Sequence, residues 1–317
     1  MARAKKTKRT VKKPIIGIFS LTACEGCQFA LLNLGKQFFN FLKKIELIDF
    51  SLIEDEPFPK GKVKIDIAFV EGTPITSENV RLLKKIREES KLLVVIGNCA
   101  ALGGINKIKN YQGKEKTLRY FEQSGKQGSR RGSYFEQSGK QGSRRGSYSE
   151  QSEEQGSRRG SYSEQSEEQG SRRGSYIYKQ VGTIENPEIR GVDYFVKVDL
   201  TIPGCPINGE EFLRLAEELL KGKIPQIPEK PVCTECPHQG KETCFLRKKQ
   251  PCFGTITLAG CGAVCPAAEF PCYGCRGTLK NINPAGFLGI LKKMRSAEEI
   301  NANLEIFGIK DELEKFL

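Results

Sequence analysis

Cys24 and Cys27 stand three positions apart in "TACEGCQFA" (22–30), with a glycine between them and apolar residues on both sides. A thiolate is both a nucleophile and a metal ligand, so this spacing suits a redox disulfide, half of a zinc site or half of an iron–sulfur site. Ten more thiols bring the total to 12 in 317 residues, beside a single histidine, His238, and no tryptophan. Zinc sites that pair two cysteines with two histidines account for very few of these thiols. The basic N-terminus "MARAKKTKRTVKK" is followed by no long apolar segment and no cleavage-like site, so it does not read as a secretory signal. A cytoplasmic chain is expected, and its reduced thiols are better explained by metal than by a disulfide scaffold.

The thiols fall into two groups. Cys24 and Cys27, Cys99 in "IGNCAALGG" and Cys205 in "IPGCPING" are dispersed, and each follows an apolar run that reads as a strand. The other eight crowd into some forty residues: Cys233, Cys236, Cys244 and Cys252, then Cys261, Cys265, Cys272 and Cys275. Four thiolates suit a [4Fe–4S] cluster or an all-cysteine zinc site, and paired C-x2-C units also occur in structural zinc ribbons.

The elements that must position the dispersed thiols alternate in α/β fashion. Residues 14–20, 46–53, 64–72 and 91–97 read as strands, and 28–44 as an apolar segment of helical length. Residues 77–90 read as a helix capped by Ser77, 193–204 as strand-like and 209–222 as an amphipathic helix. This alternation predicts an open parallel sheet flanked by helices, in which the loops after parallel strands gather on the carboxyl edge. Four thiols from three distant loops would then converge there, with glycines 26, 97, 103, 104 and 204 letting backbone approach a bulky inorganic group. Prolines 225, 228 and 231 mark a boundary, beyond which the region is built around its ligands rather than around helices or strands.

Two segments stand apart. "YFEQSGKQGSRRGS" at 120–133 and 134–147 and "YSEQSEEQGSRRGS" at 148–161 and 162–175 form four copies of a 14-residue period without an aliphatic residue. Such a segment buries too little apolar surface to offset its ordering entropy, so a disordered surface-loop insertion at 120–175 is expected. Seven of the positive charges lie in residues 1–13 and the repeat adds a net +2, so only +4 of the net +13 belongs to the rest. The tail is read as a solvated disordered arm, and nucleic acid is not an expected partner. The apolar runs fall well short of the roughly 20 residues that cross a bilayer, so no membrane span is expected.

Taken together, "LTACEGCQ", "GNCAALGGI", "PGCPING" and "CTECP…PCFGTITLAGCGAVCP…CYGCRG" resemble the small, electron-transferring subunit of [NiFe] hydrogenases. The likeness is greatest to the soluble group that includes sulfhydrogenase delta and coenzyme F420-non-reducing hydrogenase small subunits, and it covers about 14–118 and 177–277. It implies a flavodoxin-like open parallel sheet (14–222) followed by a cysteine-rich iron–sulfur domain with C-terminal helices (223–317). It makes Cys24, Cys27, Cys99 and Cys205 ligands of a proximal [4Fe–4S] cluster. Cys261, Cys265, Cys272 and Cys275 would hold a medial cluster, and Cys233, Cys236, Cys244 and Cys252 a distal one. Many family members begin the distal set with a histidine and lack a fourth medial cysteine; here Cys233 and Cys265 occupy those places, giving three [4Fe–4S] clusters.

No further constellation is left to hold nickel, so no catalytic residue is expected on this chain. The implied partners are the large [NiFe] subunit and a flavin- or iron–sulfur-containing acceptor subunit. Glu25 and Glu71 are candidates to relay protons or tune the proximal cluster, with solvated or interface carboxylates as the plainer reading. His238 is an alternative ligand or a bystander, and Phe38, Phe39, Phe41 and Leu42 are core or subunit interface. The rival readings are the 20 kDa-type subunit of quinone reductases and a zinc-stabilised binding protein. The former characteristically uses adjacent cysteines, absent here, and lacks the eight-thiol extension.

Overall fold

The computed structural model describes residues 13–50, 52, 63–111, 184–227 and 229–313. The expected disorder of the basic tail, apart from Lys13, and of the 120–175 repeat lies outside these residues. Residues 1–111 and 185–317 form one compact unit; the second, 112–184, is described only at Ile184.

Five parallel strands form the sheet: β1 (Ile15–Ser20), β2 (Glu46–Phe50), β3 (Ile65–Glu71), β4 (Ser90–Ile96) and β5 (Leu200–Ile202). Their order is β2-β1-β3-β4-β5. That is the flavodoxin-like winding, whose direction reverses between β1 and β3 and opens a crevice at their carboxyl ends. Strands covered on both faces need apolar residues without alternation. Accordingly Ile16, Ile18 and Phe69 enter one core while Phe19, Ala68 and Val70 enter the other.

The apolar segment expected over 28–44 divides into α1 (Gly26–Leu32) and α2 (Lys36–Leu42). Between them Gly35, the N-cap of the second helix, adopts φ 52° and ψ −120°, a conformation open to glycine but strained for a residue with a Cβ. Phe38 and Phe41 are buried while Phe39 is exposed, so core packing claims only part of that aromatic cluster. With α5 (Gly209–Leu220) these helices close one face of the sheet, where the Phe212 ring lies 4.7 Å from Phe69 and 6.3 Å from Phe41.

Helix α3 (Ser77–Glu89) covers the other face through Leu83 and Ile86. Its cap is Thr76 rather than the expected Ser77: the extended Thr76 accepts the Asn79 N–H at 3.1 Å through Oγ1. Ser77 lies inside the helix and donates both its N–H and its hydroxyl to Glu185 at 2.9 Å. The strand-like pattern at 193–204 yields only three paired residues. The Leu93 N–H is taken by the Asp199 carboxylate at 2.9 Å instead of a backbone carbonyl, which ends the ladder. Phe195, Val196 and Val198 supply apolar packing on the α3 face instead.

α4 (Gly97–Leu102) follows β4 directly. The cysteine-rich region has little regular structure until α6 (Pro284–Leu291) and α7 (Ala297–Ile306), which pack Phe287, Leu288, Leu291, Ile300 and Leu304 around Phe253. It is tied to α5 by a buried bidentate pair, Arg276 Nη1 and Nη2 donating to Glu211 at 2.7 and 2.9 Å. Arg276 also donates to the Pro203 and Leu258 carbonyls at 2.7 and 3.0 Å, so the desolvated charge is saturated with acceptors.

Because Phe212 joins α2, α5 and β3, Phe212→Ala is expected to cost about 3–5 kcal/mol. The check is the guanidinium unfolding midpoint followed by circular dichroism; an unchanged midpoint would refute this central place in the core.

Candidate metal centres

The chain places Cys24 and Cys27 after β1, Cys99 in the first turn of α4 after β4, and Cys205 after β5. All four line one cavity of about 80 Å³, together with Glu71, Gly72, Gly97, Asn98 and Gly204. A single water needs only about 10–15 Å³ of such space, so the thiols surround room for a multi-atom group. Among the described residues no three His, Cys, Asp or Glu side chains close on the position of a single ion. Gly97 sits at φ 84°, and a Cβ there would come 2.5 Å from Cys27 Sγ, so the backbone forms part of the cradle.

Protein dipoles point at the sulfurs. Cys27 accepts the Ile207 N–H and Cys99 the Ile105 N–H, while the Thr73 hydroxyl sits beside Cys99, 3.0 Å from its carbonyl and 3.1 Å from that of Gly103. Burial nevertheless dominates: it pushes the Cys99 thiol up to about 11 and Cys205 to about 12, each also raised by neighbouring thiols, and it raises Cys27 as well. Reactive cysteines have depressed pKa values, so these thiols are not set up as free nucleophiles or a redox disulfide. A cationic metal core offsets both burial and mutual repulsion.

Glu71, at the end of β3, is buried against this cavity, and Gln28 Nε2 donates to its Oε1 at 2.9 Å. Burial raises its pKa against the pull of Gln28 and Cys27. Glu25, at φ 60°, lies outside the cavity lining. Gln28, Thr73 and Asn98 escaped the sequence reading, because their partners come from distant loops and no spacing announces them.

The eight later thiols separate in space. Cys233 is pushed up to about 11, first by burial and then by Cys252, Cys236 and Cys244, so these four face one another. Cys261, Cys265, Cys272 and Cys275 line a second cavity of about 400 Å³. Burial is the main cause that takes Cys272 to about 12 and Cys275 to about 11.

The three sets touch in a fixed order. Cys205 lines both cavities, and its N–H donates to Cys275 Sγ. At the far side the Cys272 N–H donates to Cys252 Sγ at 3.3 Å. The group 261–275 therefore lies between the other two. His238 is buried, with Nδ1 3.0 Å from Thr243 Oγ1 and Nε2 2.8 Å from the Pro266 carbonyl, so both ring nitrogens are already engaged. Twelve thiols in three sets of four, with N–H donors on the sulfurs and room for several atoms at two of them, fit iron–sulfur groups.

Comparison with known proteins agrees with this chemistry. The family model described as "NADH ubiquinone oxidoreductase, 20 Kd subunit" matches residues 24–219, which hold strands β2 to β5 and the four dispersed thiols. Relatives extend through the eight-thiol region as well. The chain is 27% identical over 293 residues to the sulfhydrogenase 2 subunit delta of Pyrococcus furiosus, covering 92% of this chain and 98% of that one. It is 30% identical over 287 residues to a subunit of the vhu F420-non-reducing hydrogenase of Methanocaldococcus jannaschii, covering 83% of this chain and 81% of that one. A chain in a solved structure of the actinobacterial-type NiFe-hydrogenase of Ralstonia eutropha H16 aligns with TM-score 0.49 and 14% identity over 96% of this chain and 92% of that one. The chain therefore belongs to the family of the 20 Kd subunit of NADH ubiquinone oxidoreductase, among the hydrogenase small subunits, and is a component of an oxidoreductase complex acting on hydrogen.

Proposed function

We propose that this chain carries single electrons between the nickel–iron centre of a large hydrogenase subunit and a flavin- or iron–sulfur-containing acceptor subunit, in the cytoplasm. Cys24, Cys27, Cys99 and Cys205 hold a proximal [4Fe–4S] cluster, Cys261, Cys265, Cys272 and Cys275 a medial one, and Cys233, Cys236, Cys244 and Cys252 a distal one. The domain boundary near residue 222 separates the proximal set from the other two. A bound [4Fe–4S] cluster supplies reversible one-electron storage, with a potential set by its ligands and surroundings. The chain's own residues supply the rest: thiolates to hold the iron, N–H donors from Ile207, Ile105, Gly254 and Gly274 to the sulfurs, and apolar walls that exclude water.

The observation that carries this reading is the order of contact between the sets, through Cys205 to Cys275 and through Cys272 to Cys252. A structural zinc protein has no need for three sites in line. A relay does, because electron transfer weakens steeply with distance. In this arrangement the 261–275 set is medial and the 233–252 set terminal.

The deciding experiment is an anaerobic pull-down of the chain from its host, with metal analysis and hydrogen-dependent viologen reduction. Nickel and activity in the eluate are expected; zinc without iron would overturn the reading, and iron without nickel or activity would leave a quinone-reductase-type subunit. In the same complex Cys24→Ser is expected to abolish most hydrogen-driven dye reduction while sparing the signals of the other two clusters, as read by electron paramagnetic resonance. Gly97→Ala forces a Cβ toward Cys27 Sγ and should lower iron content by up to a third, confined to the proximal signal. Full iron content with an unshifted proximal signal would contradict this role for Gly97.

A further inference from the structure

Asn98 neighbours a thiol but holds no metal, and its side chain is buried away from solvent. Its Nδ2 donates to two carbonyls, those of Cys275 and Phe307, each at 3.0 Å. Only the –NH2 end of an amide can serve two acceptors, so these partners fix which way the side chain points. Its backbone N–H donates to the Gly204 carbonyl at 2.7 Å. One residue therefore ties together the loop of Cys99, the loop of Cys205 and the loop of Cys275, and anchors all three to the end of α7. Within this clasp lies a direct link between the first two thiol sets, the Cys205 N–H donating to Cys275 Sγ.

We propose that Asn98 is the positioning residue of the relay, holding the Cys205–Cys275 contact in register and so setting the electronic coupling between the proximal and medial sites. The inference rests on the relay reading above. The physical argument is one of tolerance. The sheet fixes the Cys99 and Cys205 loops, but Cys275 sits on irregular chain whose placement depends on a few specific bonds. Arg276, the next residue, secures that chain to α5 and to the Pro203 carbonyl. Asn98 supplies the direct bond to the Cys275 carbonyl itself. Without its amide, two buried carbonyls lose a donor and the loop relaxes toward other partners. The coupling responds to such a shift because it weakens steeply as the two sites move apart.

The test uses the intact complex with Asn98→Ala, and with Asn98→Ser, which keeps one donor. Asn110→Ala is the control. Asn110 also makes two loop-binding amide hydrogen bonds, donating to the Ile189 carbonyl at 2.8 Å and accepting its N–H at 2.9 Å, but joins no thiol-bearing loops. Iron and sulfide are measured first, then the magnetic splitting between reduced proximal and medial clusters and their midpoint potentials. The expected result is loss of splitting in Asn98→Ala at retained iron content, partial recovery in Asn98→Ser, and a parental spectrum in Asn110→Ala. Parental splitting and potentials in both Asn98 variants, or the same change in the control, would overturn the proposal while leaving the relay standing. If Asn98→Ala loses iron, Asn98→Ser decides by the same readouts. A parent complex that holds no iron–sulfur clusters would refute the relay and this inference together, whereas parent clusters without splitting would overturn this inference alone.

Discussion

Crowding thiols in a buried space is electrostatically unfavourable, and the organisation of this chain depends on offsetting that cost. At Cys99, Cys205, Cys233 and Cys275 the thiolate is opposed first by desolvation and then by neighbouring sulfurs. Backbone N–H groups contribute part of the compensation and a cationic iron core the remainder. The apolar cores hold the walls of these sites in place.

Those walls come from two different kinds of structure. Cys24, Cys27, Cys99 and Cys205 use the carboxyl edge of a sheet whose strands are buried on both faces, so the segments that carry them are located by the fold itself. The sets at 233–252 and 261–275 lie in chain with few helices or strands, located by the α6–α7 core, by the apolar cluster around Val232 and Phe245 and by Arg276. The buried Arg276–Glu211 pair is consistent with this division. Burying two charges is poor value for stability alone, but it fixes one region against another with directional bonds.

Function follows from adjacency rather than from any single side chain. Cys205 belongs to the walls of two cavities, and Cys272 and Cys252 are in hydrogen-bond contact across the other junction. Single electrons need no substrate pocket; they need successive sites close together and shielded from water. The lone histidine has no vacancy to fill here, because its ring bridges Thr243 and Pro266 within the loop it stabilises.

The sequence by itself determined the parallel α/β sheet and the grouping of thiols after strands, because unalternating apolar runs bounded by glycine loops have few other ways to fold. Local exceptions were not legible. The break at Gly35, the cap at Thr76 and the short β5 each turn on one backbone conformation or one side-chain bond. Only the tertiary structure decided the order in which the thiol sets touch, and only it revealed Asn98, Gln28 and Thr73 beside them. The reason is physical. Periodicity records which face of an element is buried, whereas hydrogen bonds between loops far apart in sequence leave no period to read.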